Sequence, residues 1–347
     1  MPRNVNFWTA SFSFIGILIL SQGNRPYSGL DESFEILDKY TAWGGNFIDT
    51  ADSYQHGDSE KIIGKWLENK DRNKYVIASK FRRIWDPNNP NCMGASRRHI
   101  MWSIDQTLER LGTSYLDIYY LHIWDAGVPL EESLQAMNDL VSNGKVRYIG
   151  LSNLKGWQLQ KAAELTRQRN WHPIAALQQQ YNLLCRSTEW EVAEVCRNEG
   201  IALLPWSPLK GGWLSGNIDK DTLKPKKGSR IDWASSGEGR ASNSHPDASW
   251  FKEDTQRALK VIEKCEEISK AKGKSVPQVA IRWLLEKENV PSVVIGARTV
   301  KHLEDNYNSG SGWSLSIDEI KELDDVSSIR APYPYDYVEL ENRDRIR

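Results

Sequence analysis

The 347 residues carry 45 Lys and Arg against 46 Asp and Glu, a net charge of -1, with 39% hydrophobic and 26% charged residues. That balance describes a soluble globular chain and lacks the basic excess needed to neutralise nucleic-acid phosphates, so the expected partner is a small molecule. The length suits one (β/α) barrel as well as it suits two smaller domains.

Residues 1–23 combine an early Arg3, an apolar stretch over 7–20 and then Ser-Gln-Gly, which loosely imitates a secretory signal. The preferred alternative is a buried strand over 14–20, because a parallel strand covered on both faces reads as a short continuous apolar run. The stretch is shorter than the roughly 20 apolar residues that a membrane helix needs, so no membrane association is expected. From residue 31 onward helix-period and strand-like segments alternate, the pattern of a parallel sheet with crossover helices. Strand candidates fall at 14–20, 46–49, 75–80, 116–122, 147–151, 175–178, 201–205 and 292–295, which makes eight.

Between them, Ile100, Ile104, Leu108 and Leu111 share one helical face, with Ser96 as N-cap and Gly112 just past the end. Leu130, Leu134, Met137 and Val141 form a second such face, started near Pro129 and stopped by Gly144. Further helices are expected near 31–43, 59–69, 155–169, 187–199, 254–272 and 276–287, then short ones near 300–307 and 316–326. Residues 210–250 show no periodicity, and a loop of that length in a compact domain is usually a lid or a binding loop. The Pro-, Tyr- and charge-rich end is expected to be an extended tail over 328–347. The fold class is therefore α/β: a single eight-stranded (β/α) TIM barrel spanning the chain, with a long loop after strand seven and C-terminal helices.

Chemistry on such a barrel collects where the strands end. Here the ends are polar: Asp49 closes the second candidate strand, Lys80 the third, His122 the fourth, Ser152 and Asn153 the fifth, and Gln178 the sixth. Strand seven runs into Trp206 and Ser207, and strand eight into Gly296, Ala297 and Arg298. Each residue alone has a duller reading: a capping aspartate, a solvated lysine, a satisfied core histidine. Together they are harder to dismiss, because a lysine ending an apolar strand is costly unless paired, and Asp49 on the neighbouring strand supplies the counter-charge. Tyr54 follows in the loop after Asp49, and a phenol beside an ammonium is expected to titrate below its ordinary value near 10. It would then serve as a general acid.

Asp49, Tyr54, Lys80 and His122 resemble, in order and context, the catalytic tetrad of the aldo-keto reductases. The strings GNFIDTADSY at 45–54, YYLH at 119–122, GKVRYIGLSN at 144–153, LQQQYNL at 177–183 and PWSPLKGG at 205–212 are similar to that family's segments, and the resemblance covers about residues 30 to 326. It implies NADPH as cofactor and hydride transfer to a small-molecule carbonyl, with Tyr54 as proton donor, Lys80 and Asp49 tuning it, and His122 orienting the substrate. It further implies that Ser152, Asn153 and Gln178 hold the nicotinamide carboxamide, that Trp206 stacks on its ring, and that Ser207, Leu209 and Gly212 make contacts after strand seven. Gly296, Arg298, His302, Asp305 and Asn306 match the segment for the adenosine end, and Arg230 matches one that closes over the pyrophosphate.

There are departures. The Gly-Thr pair that many relatives place after the first strand is replaced by Leu20-Ser-Gln-Gly, His302 stands where relatives often have Gln or Arg, and Asp305 replaces Glu. Two other classes are weighed beside the reductase. One is a cofactor-binding regulatory subunit of the potassium-channel β type; the other is a metal-dependent hydrolase, disfavoured because no His and Asp ligands cluster at the strand ends. Trp85 and Trp124 suit either a substrate wall or core packing. The scattered Cys92, Cys185, Cys196 and Cys265 suggest reduced thiols, hence a cytoplasmic protein, and a monomer is favoured.

Overall fold

The apolar runs with period-two alternation pair side by side in the order in which the chain makes them. The computed structural model describes residues 15–18, 30–83, 85–86, 88–219, 226–227, 229, 232 and 255–342. Its strands are β1 (Ile15–Leu18), β2 (Phe47–Asp49), β3 (Val76–Phe81), β4 (Leu116–Leu121), β5 (Val146–Ser152), β6 (Ile174–Gln180), β7 (Ala202–Trp206) and β8 (Val293–Gly296). They form a closed barrel in chain order. β8 returns to β1 in parallel, from Ile15 against Val293 to Leu18 against Gly296. The apolar run near the N-terminus is thus a barrel strand over 15–18, while the signal-like residues before it and Leu20-Ser-Gln-Gly after it lie outside the described residues.

Helices α1 (Leu30–Ala42), α2 (Asp58–Leu67), α3 (Arg97–Leu111), α4 (Leu130–Ser142), α5 (Gly156–Gln168) and α6 (Val192–Glu199) connect the strands up to β7. Helices α7 (Thr255–Lys272) and α8 (Val276–Leu285) precede β8, and α9 (Val300–Tyr307), α10 (Ile317–Ser327) and α11 (Tyr335–Asn342) follow it. Their punctuation is local chemistry. The Ser96 hydroxyl accepts from the His99 amide and Gly112 turns left-handed at φ 61°, so α3 starts and stops where its sequence directs. None of the helices among the described residues is long and apolar enough to cross a membrane.

Two expectations are corrected. The helix expected over 187–199 is split: Ser187–Glu189 is a single 3-10 turn, and α6 begins at Val192. The cause is tertiary, because Arg186 pairs with Glu189 and also reaches Asp324 and Ser327, while the Tyr181 hydroxyl donates to Glu189. These contacts hold the first turn apart from the helix. The stretch expected as an extended tail contains helix α11. Its prolines precede the helix rather than interrupt it, and Tyr335 at its start stacks on Trp190 with ring centroids 6.1 Å apart.

A barrel interior must be filled by side chains of alternating size. Phe47, Ala78, Ile118, Tyr120, Ala176, Ala202, Leu204 and Val294 form one buried cluster, every second residue along their strands. The two rings occupy space that two glycines vacate. A Cβ on Gly16 would stand 2.5 Å from Phe47, and one on Gly150 would stand 2.4 Å from Tyr120. Continuing the same alternation by one more step on each strand reaches Asp49, Lys80, His122, Ser152, Gln178, Trp206 and Gly296. The expected site residues are therefore the top layer of the barrel's own interior. The Gly150→Val variant is expected to lose about 1–3 kcal/mol through overpacking against Tyr120, seen as a lower urea midpoint at unchanged m-value. An unaltered midpoint would show that the ring has room to move.

Candidate active site

Asp49 and Lys80 face each other on β2 and β3, and neither side chain has solvent-accessible surface. The Lys80 ammonium donates to Asp49 Oδ2, to the Thr50 carbonyl at 2.8 Å and to the Tyr54 hydroxyl oxygen at 3.4 Å. All three of its protons are thus directed. The other Asp49 oxygen accepts from Gln178 Nε2 at 2.9 Å, across the barrel from β6. A buried ion pair stabilises only when its remaining lone pairs and protons are satisfied, and this one is.

Burial alone would depress the Lys80 ammonium, but Asp49 and Tyr54 outweigh it and hold the lysine above its ordinary range. Burial pushes the Tyr54 phenol above its ordinary value, by more than Lys80 pulls it down. This corrects the sequence expectation of a net downward shift: the ammonium acts in the expected direction, but desolvation of the phenolate is larger. Tyr54 is consequently a neutral, proton-bearing phenol at physiological pH.

The rings of Tyr54 and His122 meet edge to face, 5.8 Å between centroids. Burial, reinforced by Lys80, Arg83 and Arg82, holds His122 well below the ordinary histidine range, so it is neutral. The backbone carbonyl of His122 accepts from Asn153 Nδ2 at 2.9 Å, and that amide nitrogen also lies 2.9 Å from Ser152 Oγ. Trp206 Nε1 donates to Asn153 Oδ1 at 3.1 Å. Asn153 adopts a left-handed φ of 56° to make these bonds, a conformation that asparagine tolerates better than most residues. Asp49, Tyr54, Lys80, His122, Ser152, Asn153, Gln178 and Trp206 thus form one connected set.

The remaining candidates lie around it. The Ser207 carbonyl accepts from Asn182 Nδ2 and its hydroxyl from the Gly211 amide, at the head of a 3-10 turn over Lys210–Ser215. In that turn Gly211 and Gly212 have φ of 65° and 110°, so only glycine fits without strain. Half-buried Leu209 packs against the core. After β8, Gly296 and Arg298 are exposed and lead into α9, whose N-cap Thr299 accepts from the His302 amide at 3.2 Å. Burial beside Arg298 and Lys301 lowers His302, with Asp305 opposing. Asp305 accepts from Ser275, the N-cap of α8, and Asn306 is buried. Arg230 lies outside the described residues. Trp85 packs under the Arg110 guanidinium and near His56 and Trp102, and Trp124 meets Trp157 edge to face at 5.6 Å. All four cysteines are free thiols, and burial pushes Cys196 and Cys265 up to about 12. Among the described residues no group of three or more His, Cys, Asp and Glu could hold a metal ion.

Sequence reasoning missed a second polar layer behind the tetrad. The Asp52 amide donates to the Lys80 carbonyl, and its buried carboxyl accepts from Ser103, which in turn accepts from Tyr119. Buried Glu60 accepts from Ser79 at 2.5 Å and from Arg110 at 2.6 Å. Asp52 was visible in the loop, but nothing in its spacing told that it would be enclosed. Arg82 and Arg83 were missed as well, although two charges straight after an apolar strand are a legible signal.

Burial first, then repulsion from Glu60, raise Asp52 to about 7 against the pull of Arg110. In the unfolded chain this carboxyl titrates near its ordinary 3.8. The folded state therefore keeps a proton that the unfolded chain releases, and stability attributable to Asp52 falls as pH rises between about 4 and 7. Asp52→Asn, with no charge to bury, is expected to unfold at a higher urea concentration than the wild type at pH 8 and to converge with it near pH 4. Parallel pH profiles would contradict the assignment.

The sequence model described as "Aldo/keto reductase family" matches residues 16–328. An aryl-alcohol dehydrogenase (NADP+) from Phanerodontia chrysosporium is 31% identical over 336 residues, covering 92% of this chain and 83% of the relative. A versiconal hemiacetal acetate reductase from Aspergillus parasiticus is 32% identical over 323 residues, 88% of this chain and 89% of the relative. A norsolorinic acid reductase B from Dothistroma septosporum is 30% identical over 313 residues, 88% of this chain and 73% of the relative.

Proposed function

This chain belongs to the aldo/keto reductase family, and on that footing we propose that it is an oxidoreductase that reduces an aldehyde or ketone to the alcohol with NADPH, with Tyr54 as the proton donor. The observation that carries the reading is the phenol of Tyr54. It stands 3.4 Å from the Lys80 ammonium, edge-on to a neutral imidazole, in a polar layer that closes an apolar barrel.

The residues present fit a nicotinamide cofactor. A carboxamide needs one acceptor and one donor, and Gln178 uses its amide nitrogen on Asp49 while its carbonyl oxygen is left to accept. The Ser152 oxygen accepts from Asn153 and keeps its own proton to donate. Trp206, tethered through Asn153, offers a half-buried indole for stacking. At the other end, Arg298 precedes the N-terminus of α9, a setting that favours a phosphate through the guanidinium fork and the first-turn amides. That supports NADP(H), the cofactor for which the Phanerodontia chrysosporium relative is named. Bound NADPH would supply the hydride.

What this chain contributes is proton control. As the carbonyl oxygen gains negative charge, Tyr54 passes it the phenolic proton, and the resulting phenolate is stabilised in place by the Lys80 ammonium. Burial keeps the phenol protonated until that charge appears. His122, uncharged, can donate an N–H to the same oxygen without competing as an acid. Asp49 prevents Lys80 from turning away.

Tyr54→Phe is expected to lower NADPH-dependent turnover of an aldehyde panel by on the order of 10²–10⁴-fold, followed by absorbance of the reduced cofactor. Cofactor affinity, measured by fluorescence titration, is expected to persist. Equal turnover by wild type and variant would remove Tyr54 from the role, and absence of turnover by the wild type across the panel would remove the reaction.

A further inference from the structure

β3 is followed not by small residues but by two consecutive arginines, Arg82 and Arg83, two and three residues beyond Lys80. Arg82 adopts a φ of 105°, a conformation that costs a side-chain-bearing residue energy and persists only where the surroundings enforce it. Here the Gly94 amide clamps the Arg82 carbonyl at 3.0 Å. The two guanidiniums fare differently. Arg82 has Asp125 within 4.0 Å, a carboxylate that also accepts from the amides of Ala95 and Gly127. Arg83 has no carboxylate partner among the described residues, and the Nε of each of the two arginines is buried without a hydrogen-bond acceptor.

A half-buried guanidinium lacking an acceptor is expensive to keep. Arg83 follows closely on the strand whose last carbonyl, that of Phe81, accepts from the His122 amide at 3.2 Å, and its charge acts on both Tyr54 and His122. The neighbouring charges are already matched. Lys80 is neutralised by Asp49, Arg110 by Glu60 with Asp52 beside it, and Arg82 is drawn to Asp125. His122 is neutral. Among the described residues just named, Arg83 is the cation without a carboxylate partner. The residues that suit the cofactor lie at the ends of β5 to β8 and on α9, whereas Arg83 follows β3, on the side of Tyr54 and His122.

We propose that Arg83 is a substrate-recognition residue, and that the carbonyl compounds this enzyme prefers carry a carboxylate that docks on its guanidinium while the carbonyl meets Tyr54 and His122. Arginine suits the task because its planar fork matches a carboxylate bidentately and stays charged at any working pH. This assignment rests on the carbonyl-reductase reading above.

The test compares 2-, 3- and 4-carboxybenzaldehyde with their neutral methyl esters, using NADPH oxidation by the wild type, Arg83→Lys and Arg83→Met. For the best-fitting isomer the wild type is expected to favour acid over ester in kcat/KM by about tenfold or more, mostly through KM, with the preference shrinking as salt is added. Arg83→Met is expected to bring that ratio close to one, and Arg83→Lys to retain part of it. An acid-to-ester ratio that is the same in wild type and Arg83→Met overturns the proposal. If the wild type turns over none of the aldehydes, the reductase reading fails, and calorimetric titration of the NADP+-loaded protein with the three benzenedicarboxylates still decides on Arg83. Binding about tenfold tighter to wild type than to Arg83→Met sustains the anion site, and equal affinity rejects it.

Discussion

The ion pair between Asp49 and Lys80 is the constraint on which the rest of the site depends. Two full charges with no solvent-accessible surface would be ruinous if either were left partly unsatisfied. Each remaining valence is therefore directed elsewhere: Gln178 to the second carboxylate oxygen, the Thr50 carbonyl and the Tyr54 hydroxyl to the ammonium. The pair and its three partners come from β2, the loop behind it, β3 and β6, so satisfying one pair fixes the relation of distant strands. The tyrosine is placed by the same requirement, since it completes the coordination of the ammonium.

The barrel makes this possible by geometry that is indifferent to chemistry. Period-two alternation sends every second residue inward, and two aromatic rings opposite glycines fill the lower layers. Only the top layer is polar, and it rests on a dry floor where electrostatic interactions are strong. The Tyr54 loop is held from outside as well. Gln55, His56 and Gly57 are three consecutive left-handed residues, and a Cβ on Gly57 would stand 2.7 Å from the Arg110 side chain and 2.8 Å from Trp85. Thr50 and Ser59 bond across the loop at 2.7 Å. The phenol is thereby delivered by a strained but enclosed turn, as is common where a catalytic group must be held in one orientation.

Burial sets the protonation states in opposite senses. It raises the proton affinity of the Tyr54 phenol and lowers that of His122, so both are neutral donors at the same pH. The positive charge of Lys80 is committed to Asp49 and, in the proposed reaction, to the phenolate that Tyr54 would leave behind. Arg83 has no carboxylate partner among the described residues, and that unanswered charge is what the proposed substrate carboxylate would meet.

Much of this was legible in the sequence because it follows local rules. The eight apolar runs, the Ser96 start and Gly112 stop of α3, and the polar residues closing β2 to β6 all depend on side-chain period and backbone sterics, which a sequence displays directly. The order Asp49, Tyr54, Lys80, His122 could be read for the same reason: each marks the end of a strand or the loop behind it. What the sequence could not supply were quantities set by enclosure. Whether Lys80 or burial governs Tyr54, whether Asp52 is a loop residue or a buried acid, and whether Arg83 has a partner all depend on which atoms the fold brings near. The split of the helix expected over 187–199 and the helix inside the expected tail have the same origin. In both, contacts from elsewhere in the chain, Asp324 and Ser327 on Arg186 and Trp190 on Tyr335, decided a conformation that local propensity left open. Period and punctuation are written along the chain; desolvation and charge pairing exist only once it has closed on itself.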